Sequence, residues 1–428
     1  MSINRRLFIK ATTASAVAGP LLLNAQKVKT YKTAVIGTGW WAMNITREAV
    51  ASGQCRIVGL CDVDQNQLAI ARKKLSEMTS DDPKHYTDFR DMLKKEKPEI
   101  VIVATPDHWH ALPTIAAIQS GADVYVEKPI CHTINEGVAM VKAAREYERV
   151  VQVGTHRRVS PHNMAAIKFL KEGGAGTVGM IRTFVHYDGG PGKPTPDSDI
   201  PEGLDWDFWC GPAPYHPFNE RMHPRGFRSF LDFANGQLGD WGIHWVDHIL
   251  WWSEEKYPTS VHSIGARHIV QDNTDVPDTQ IVTYEFEDFT ATWEHRRYGG
   301  NDAEKHRLGI YFYGTKGIVH IGWHDGWTFY PTGRNAQIYH EEPQLHKPDD
   351  QNIQELWTNF LSCIKSRTKP ICDIEIGHRS TNLSLLGMLS AKLGRSIKWD
   401  GEKNIIPDDP EANRLLKRDY RPPWIYPV

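Results

Sequence analysis

Between residues 33 and 154, five short β-branched runs alternate with amphipathic stretches, and a phosphate-loop pattern sits at the first turn of that alternation. The runs TAVIG, RIVGLCD, EIVIVAT, DVYVEKP and VVQVG read as buried strands, and residues 40 to 52, 64 to 76, 112 to 120 and 134 to 147 read as helices. A parallel strand can follow another only when the chain crosses back, usually through a helix. This order therefore predicts a parallel sheet with helices on both faces.

Gly37-Thr38-Gly39-Trp40-Trp41-Ala42 fits G-x-G-x-x-G/A directly after the first strand and at the start of a helix. There Gly37 permits the tight turn and Gly39 lets a pyrophosphate approach the backbone, while the helix N-terminus supplies free N–H groups and the positive end of a dipole. Asp62 ends the second strand, where a carboxylate binds the adenosine ribose hydroxyls. It would repel a 2′-phosphate, and no Lys or Arg follows it at once, so NAD is expected ahead of NADP. Trp40 and Trp41 depart from the small or charged residues usual in such a loop; they are expected to wall off the nicotinamide or to narrow the substrate space.

After a helix near 161 to 172 the pattern changes. A strand at 181 to 187 leads into a Gly/Pro-rich loop and an aromatic-rich irregular region, and LGDWGIHWVDHILWW then reads as one helix. VHSIGARHI, TQIVTYEF, FTATWEHR, RLGIYFYG and GIVHIGW alternate faces and join by tight turns, which predicts a large open antiparallel sheet with one face covered by helices. Two helices, near 352 to 366 and 378 to 393, supply the cover. The expected fold is thus an α/β Rossmann domain over residues 30 to 155, an α+β domain over 156 to 395 and a C-terminal tail over 396 to 428.

Residues 1 to 25 read as a twin-arginine signal peptide: Arg5-Arg6, Phe8 and Lys10, then an apolar run from Ala11 to Leu23 too short to span a bilayer, with cleavage after Ala25. That route carries folded proteins, as a protein that must acquire a nucleotide in the cytoplasm requires. The expected location is the periplasm, without stable membrane insertion. The net charge of −2 argues against a nucleic-acid partner. Six cysteines without CxxC spacing read as buried small hydrophobes, although an oxidising destination leaves room for one bridge.

The fingerprint, ATPDHWH at 104 to 110, VEKP at 126 to 129, GDWGIH at 239 to 244 and GHRST at 377 to 381 together resemble the Gfo/Idh/MocA family of oxidoreductases. The resemblance implies that Lys128 reaches the nicotinamide and the reacting hydroxyl, with Glu127 beside the cofactor and Pro129 after a cis bond. It implies that His244 accepts the hydroxyl proton and that Asp240 binds and orients the same site. It also implies that Thr105 and Pro106 line the nicotinamide ribose and that Arg157, with His156, contacts substrate. A sheet of this kind in the family makes homodimers or homotetramers.

The residues themselves support these roles. A Lys at the carboxyl end of a parallel strand faces the crevice where ligands bind. Asp240 and His244 lie four apart, so on a regular helix they share one face, and a carboxylate beside an imidazole suits general base work. His248 extends that spacing, but no Cys or Glu stands at ligand distance and the chain has 20 histidines, so no metal is expected. His110 is expected to cap the helix starting near Leu112, and Tyr187 either hydrogen-bonds a sugar or packs in the core. Of the 15 tryptophans, Trp206, Trp209, Trp241, Trp245, Trp251 and Trp252 cluster near the expected site, where an indole face can stack on a sugar ring.

The resulting expectation is an exported NAD-dependent oxidoreductase of a sugar, glycoside or polyol, with a tightly held cofactor. Two other readings stand: a glycosidase that uses transient oxidation by bound NAD, and a non-catalytic carbohydrate-binding protein on a Rossmann scaffold.

Overall fold

The computed structural model describes residues 29–301, 303–346 and 350–428, and the expected export signal lies outside them. The first sheet contains β1 (Tyr31–Ile36), β2 (Cys55–Cys61), β3 (Lys84–Tyr86), β4 (Ile100–Val103), β5 (Asp123–Val126) and β6 (Val151–Val153). Helices α1 (Trp40–Ala51), α2 (Gln65–Ser76), α3 (Phe89–Glu96), α4 (Ala111–Gln119) and α5 (Ile134–Glu146) connect them. All pairings are parallel, in the order β3-β2-β1-β4-β5-β6. This is the doubly wound order, whose ligand crevice opens where the winding reverses between β1 and β4. Every residue of β4 and β5 is buried, as strands covered on both faces require. Asp64 caps α2 through Asn66 N–H, and Thr133 and Glu136 form a capping box on α5. β3 and α3 are additional to the elements expected from the sequence; β3 is a three-residue edge strand, Lys-His-Tyr, with no apolar run to mark it.

The second domain begins with α6 (Pro161–Lys171) and β7 (Val178–His186). The chain then wanders through α7 (Trp206–Cys210) to a π-helical turn at Leu238–Gly242, which runs into α8 (Ile243–Trp252). The expected single helix is thus a wide turn followed by a regular one. Glycines permit it: a Cβ at Gly239 would meet Asn235 Cβ at 2.8 Å, and one at Gly242 would meet Leu238 Cδ1 at 2.7 Å. Strands β8 (Ser260–Ala266), β9 (Thr279–Glu285), β10 (Thr290–Arg296), β11 (Leu308–Gly314), β12 (Gly317–Ile321), β13 (Trp327–Pro331) and β14 (Tyr339–Glu341) follow. Helices α9 (Ile353–Ser366) and α10 (Ile374–Leu393), the short β15 (Ile397–Lys398) and α11 (Pro410–Arg414) complete the chain.

These strands form one nine-stranded sheet in the order β14-β13-β12-β11-β7-β10-β9-β8-β15. It is mixed rather than wholly antiparallel, because β7 and β10 run parallel. The long excursion after β7 returns the chain to the far edge, and the β8-β9-β10 meander then fills inward until β10 meets β7. Helix α10 covers the inner face, with Tyr284 Oη donating to the Leu383 carbonyl at 2.9 Å. The six cysteines are buried and unbridged.

Residues 396–428 are built into both domains. β15 extends the large sheet against β8. The last segment crosses back over the first domain, where Tyr420 Oη donates to Glu136 Oε1 at 2.6 Å and the Trp424 ring lies 4.7 Å from Trp109. Arg421 reaches Asp207 and the carbonyls of Gly211 and Ala213, which ties α7 to the C-terminal segment.

Candidate active site

At the carboxyl ends of the first sheet, one cleft runs from the glycine turn to the π-helical turn of the second domain. Gly37 has φ +79°, and a Cβ on it would come within 2.7 Å of Thr105 N and 2.8 Å of the Ala104 carbonyl. No larger residue fits there. A Cβ on Gly39 would meet nothing within 4 Å, so open space lies over the start of α1, where a pyrophosphate would need it. Asp62 accepts hydrogen bonds from Thr38 N–H at 2.7 Å and Thr38 Oγ1 at 3.0 Å, which fixes the loop between the two glycines. Burial pushes its carboxyl up despite those bonds. Thr105, Pro106, Trp40 and Trp41 line the same cleft. The donor set therefore fits a dinucleotide.

At the other end, Lys128 precedes a cis proline, Pro129. Its Nζ donates to Asp240 Oδ1 at 2.9 Å and to the Asp240 carbonyl at 2.8 Å. Arg228 Nε donates to the same Oδ1 at 3.2 Å. Burial would raise the Asp240 carboxyl, but Lys128 and Arg228 outweigh it and hold Asp240 below the usual range. Glu127 is buried behind them, raised by desolvation and hydrogen-bonded by Trp41. Gly154 makes room for it, since a Cβ there would stand 2.3 Å from Glu127 Oε1.

His244 lines the cleft from α8 with its Nδ1 buried and unpartnered, which leaves Nε2 as the cleft-facing atom. Burial, reinforced by Lys128, His156 and Arg157, holds its pKa well below the ordinary value, so the ring is neutral. A neutral imidazole can accept a proton. His156 packs against it with ring centroids 5.2 Å apart, and Trp323 stands edge-on to His244 at 5.1 Å.

Four expectations change. Asp240 does not bond His244: the π-helical turn breaks the four-residue spacing, and the carboxylate turns to Lys128 and Arg228 instead. Arg157 does not line the cleft; it is buried behind Trp323, with Cζ 4.4 Å from the ring and Nη2 donating to the Gly322 carbonyl at 3.0 Å. Tyr187 sits behind Trp241 with its hydroxyl buried, so it is no sugar contact. His110 makes no helix cap; Nδ1 lies 2.6 Å from the Pro129 carbonyl and Nε2 lies 2.8 Å from the Thr105 carbonyl, so the ring ties the two cleft loops together.

Other cleft residues carried no signal in spacing. Asp107 lines the cleft almost fully buried, and desolvation, with Asp240 nearby, pushes its carboxyl up to about 7 against the pull of Arg228 and Lys128. Arg228 and Trp323 arrive from distant segments, and only the fold joins them. A roof formed by His223 to Arg225, Phe208 and Trp209 lies on the adenosine side. His223 Nε2 is 2.8 Å from Asp64 Oδ2, and Arg225 stacks 5.3 Å over Trp40.

Two family models match the chain: GFO_IDH_MocA, the oxidoreductase family NAD-binding Rossmann fold, over residues 31–155, and GFO_IDH_MocA_C2, the oxidoreductase family C-terminal alpha/beta domain, over residues 185–426. Glycosyl hydrolase family 109 protein 2 of Shewanella sp. (strain ANA-3) is 27% identical over 172 residues, covering 34% of this chain and 38% of that protein. Levoglucosan dehydrogenase of Pseudarthrobacter phenanthrenivorans is 33% identical over 96 residues, covering 22% of this chain and 25% of its own length. The chain thus spans less than two fifths of the length of these curated relatives. The crystal structure of the WlbA dehydrogenase from Bordetella pertussis in complex with NADH and UDP-GlcNAcA superposes with a TM-score of 0.65 at 19% identity, over 87% of this chain and 99% of that one, which is a likeness of fold.

Proposed function

Because the chain belongs to the Gfo/Idh/MocA oxidoreductase family, matched through residues 185–426 by the model of its C-terminal domain, we propose that it is an NAD-dependent oxidoreductase of a secondary hydroxyl on a sugar, glycoside or polyol. The observation that carries this reading is the meeting of Lys128 and the neutral His244 in one cleft with the Gly37 turn. A dinucleotide bound along Gly37, Gly39 and Asp62 would supply the hydride acceptor at its nicotinamide ring. Lys128, held by Asp240, donates a hydrogen bond to the reacting oxygen, and His244 Nε2 takes the hydroxyl proton. Trp241, partly exposed at the cleft, offers a face for a sugar ring, with the buried Trp323 behind it.

The roof over the adenosine side supports slow cofactor exchange. Mass spectrometry and absorbance of the denatured protein as purified test this: co-released NAD or NADH is expected, and protein free of nucleotide that also fails to take up NAD would end the proposal. Export by the twin-arginine route to the periplasm fits a retained cofactor. Cell fractionation with Arg5 and Arg6 both changed to Lys is the test, and accumulation in the cytoplasm is the expected result. The exposed Met180, Ile264 and Ile281 on the uncovered face of the large sheet support self-association.

The similarity to glycosyl hydrolase family 109 supports a second reading, cleavage of a glycoside through transient oxidation. Aryl glycosides separate the two: aglycone release without net NADH favours the glycosidase, whereas a keto-sugar accumulating with NADH favours the dehydrogenase.

A further inference from the structure

We propose that His306, His320 and Asp325 form a divalent-cation site suited to Zn²⁺, which staples the turn between β12 and β13. The three residues come from separate segments: the loop before β11, strand β12, and the turn itself. One donor atom from each lies within 4.8 Å of the other two. None of them belongs to the cleft described above.

The strongest observation is His320. Its side chain is 0% exposed, yet neither ring nitrogen has a hydrogen-bond partner. Buried ring nitrogens are seldom left unpaired, because nothing then replaces the water they lose. His306 shows the same deficit: Nδ1 meets Asp325 Oδ2 at 2.7 Å, but Nε2 is buried and unpartnered. The two imidazoles stack face to face, with centroids 3.7 Å apart and planes 23° apart.

Two imidazoles and one carboxylate are borderline donors that favour Zn²⁺ over the oxygen-seeking Mg²⁺ and Ca²⁺. Bonds of about 2.0 to 2.2 Å require the two stacked rings to splay so that one nitrogen of each faces the ion beside Asp325, with the fourth position left to water. Asp325 lies two residues after Trp323, in a turn closed by Gly322 N–H donating to the Gly326 carbonyl at 2.9 Å. A cation here would therefore fix the turn that carries Trp323 to the wall of the cleft.

Untagged full-length protein, treated with chelator and then equilibrated with Zn²⁺ or Co²⁺ and desalted, tests the site by elemental analysis and visible absorption. One equivalent of Zn²⁺ per chain is expected, with Co²⁺ giving the d–d bands of a low-symmetry site. Both signals should vanish in His320→Ala and in Asp325→Asn, and Zn²⁺ should raise the thermal midpoint of the wild type but not of Asp325→Asn. Asp325 is half exposed, so that variant keeps the test decisive if His320→Ala fails to fold. Failure to retain the metal, or equal retention by wild type and Asp325→Asn, would overturn the proposal. Neither result decides whether the cleft holds a dinucleotide.

Discussion

Replacing Asp107 by Asn should stabilise the protein strongly at pH 8 and much less at pH 5, where only about 1.6 kcal/mol of the penalty has developed. Burial and neighbouring Asp240 raise this carboxyl from the ordinary 3.8 to about 7. At 1.36 kcal/mol per tenfold change in proton affinity, holding Asp107 ionised in the native state costs about 4 kcal/mol relative to the unfolded chain. Between the unfolded and folded values the native state binds the extra proton, so stability falls as pH rises from about 4 and levels off above about 7. Asn cannot ionise, so the variant escapes that loss. Thermal unfolding of wild type and variant, measured at both pH values on protein as purified, should show the Asn variant melting several degrees higher at pH 8, with the gap less than half as large at pH 5. An equal gap at both values, or a variant less stable at pH 8, would refute the reasoning. The same residue should leave an apparent pKa near 7 in the pH profile of kcat/KM that the variant lacks.

Other outcomes follow from the same geometry. Lys128→Met removes the donor to the reacting oxygen and should lower kcat by roughly 10²- to 10⁴-fold while dinucleotide retention, measured on denatured protein, stays intact. Gly37→Ala should abolish that retention, because the new Cβ would stand 2.7 Å from Thr105 N at a left-handed φ; titration with NAD followed by tryptophan fluorescence checks it. Trp424→Ala removes the ring packed behind Trp109 and Phe208, at about 0.5 to 1.5 kcal/mol per aromatic pair, and should speed cofactor release about tenfold in a stopped-flow exchange experiment.

The first domain could be read from its sequence because strands buried on both faces leave unbroken Val and Ile runs, as in Ile100–Val103, and because Gly37 and Gly39 mark their turn locally. The edge strand Lys84–Tyr86 had no such run. Lys128, Asp240 and His244 did reach one cleft, yet the bond assumed between the last two depended on a regular helix that Gly239 and Gly242 release into a wider turn. Arg157, expected as a contact from the family resemblance, turns its side chain inward beneath Trp323. Asp107, Arg228 and Trp323 became visible only in three dimensions, since no periodicity links residue 107 to residue 228 or residue 323.

Trp424 backs the wall formed by Trp109 and Phe208, and Arg421 grips the segment beside it. The adenosine chamber therefore draws on the early, middle and late stretches of the polypeptide. During synthesis its floor precedes its outer buttress by more than 300 residues of translation. The chamber is therefore complete only when the final stretch has docked, which makes the end of the chain part of its wall.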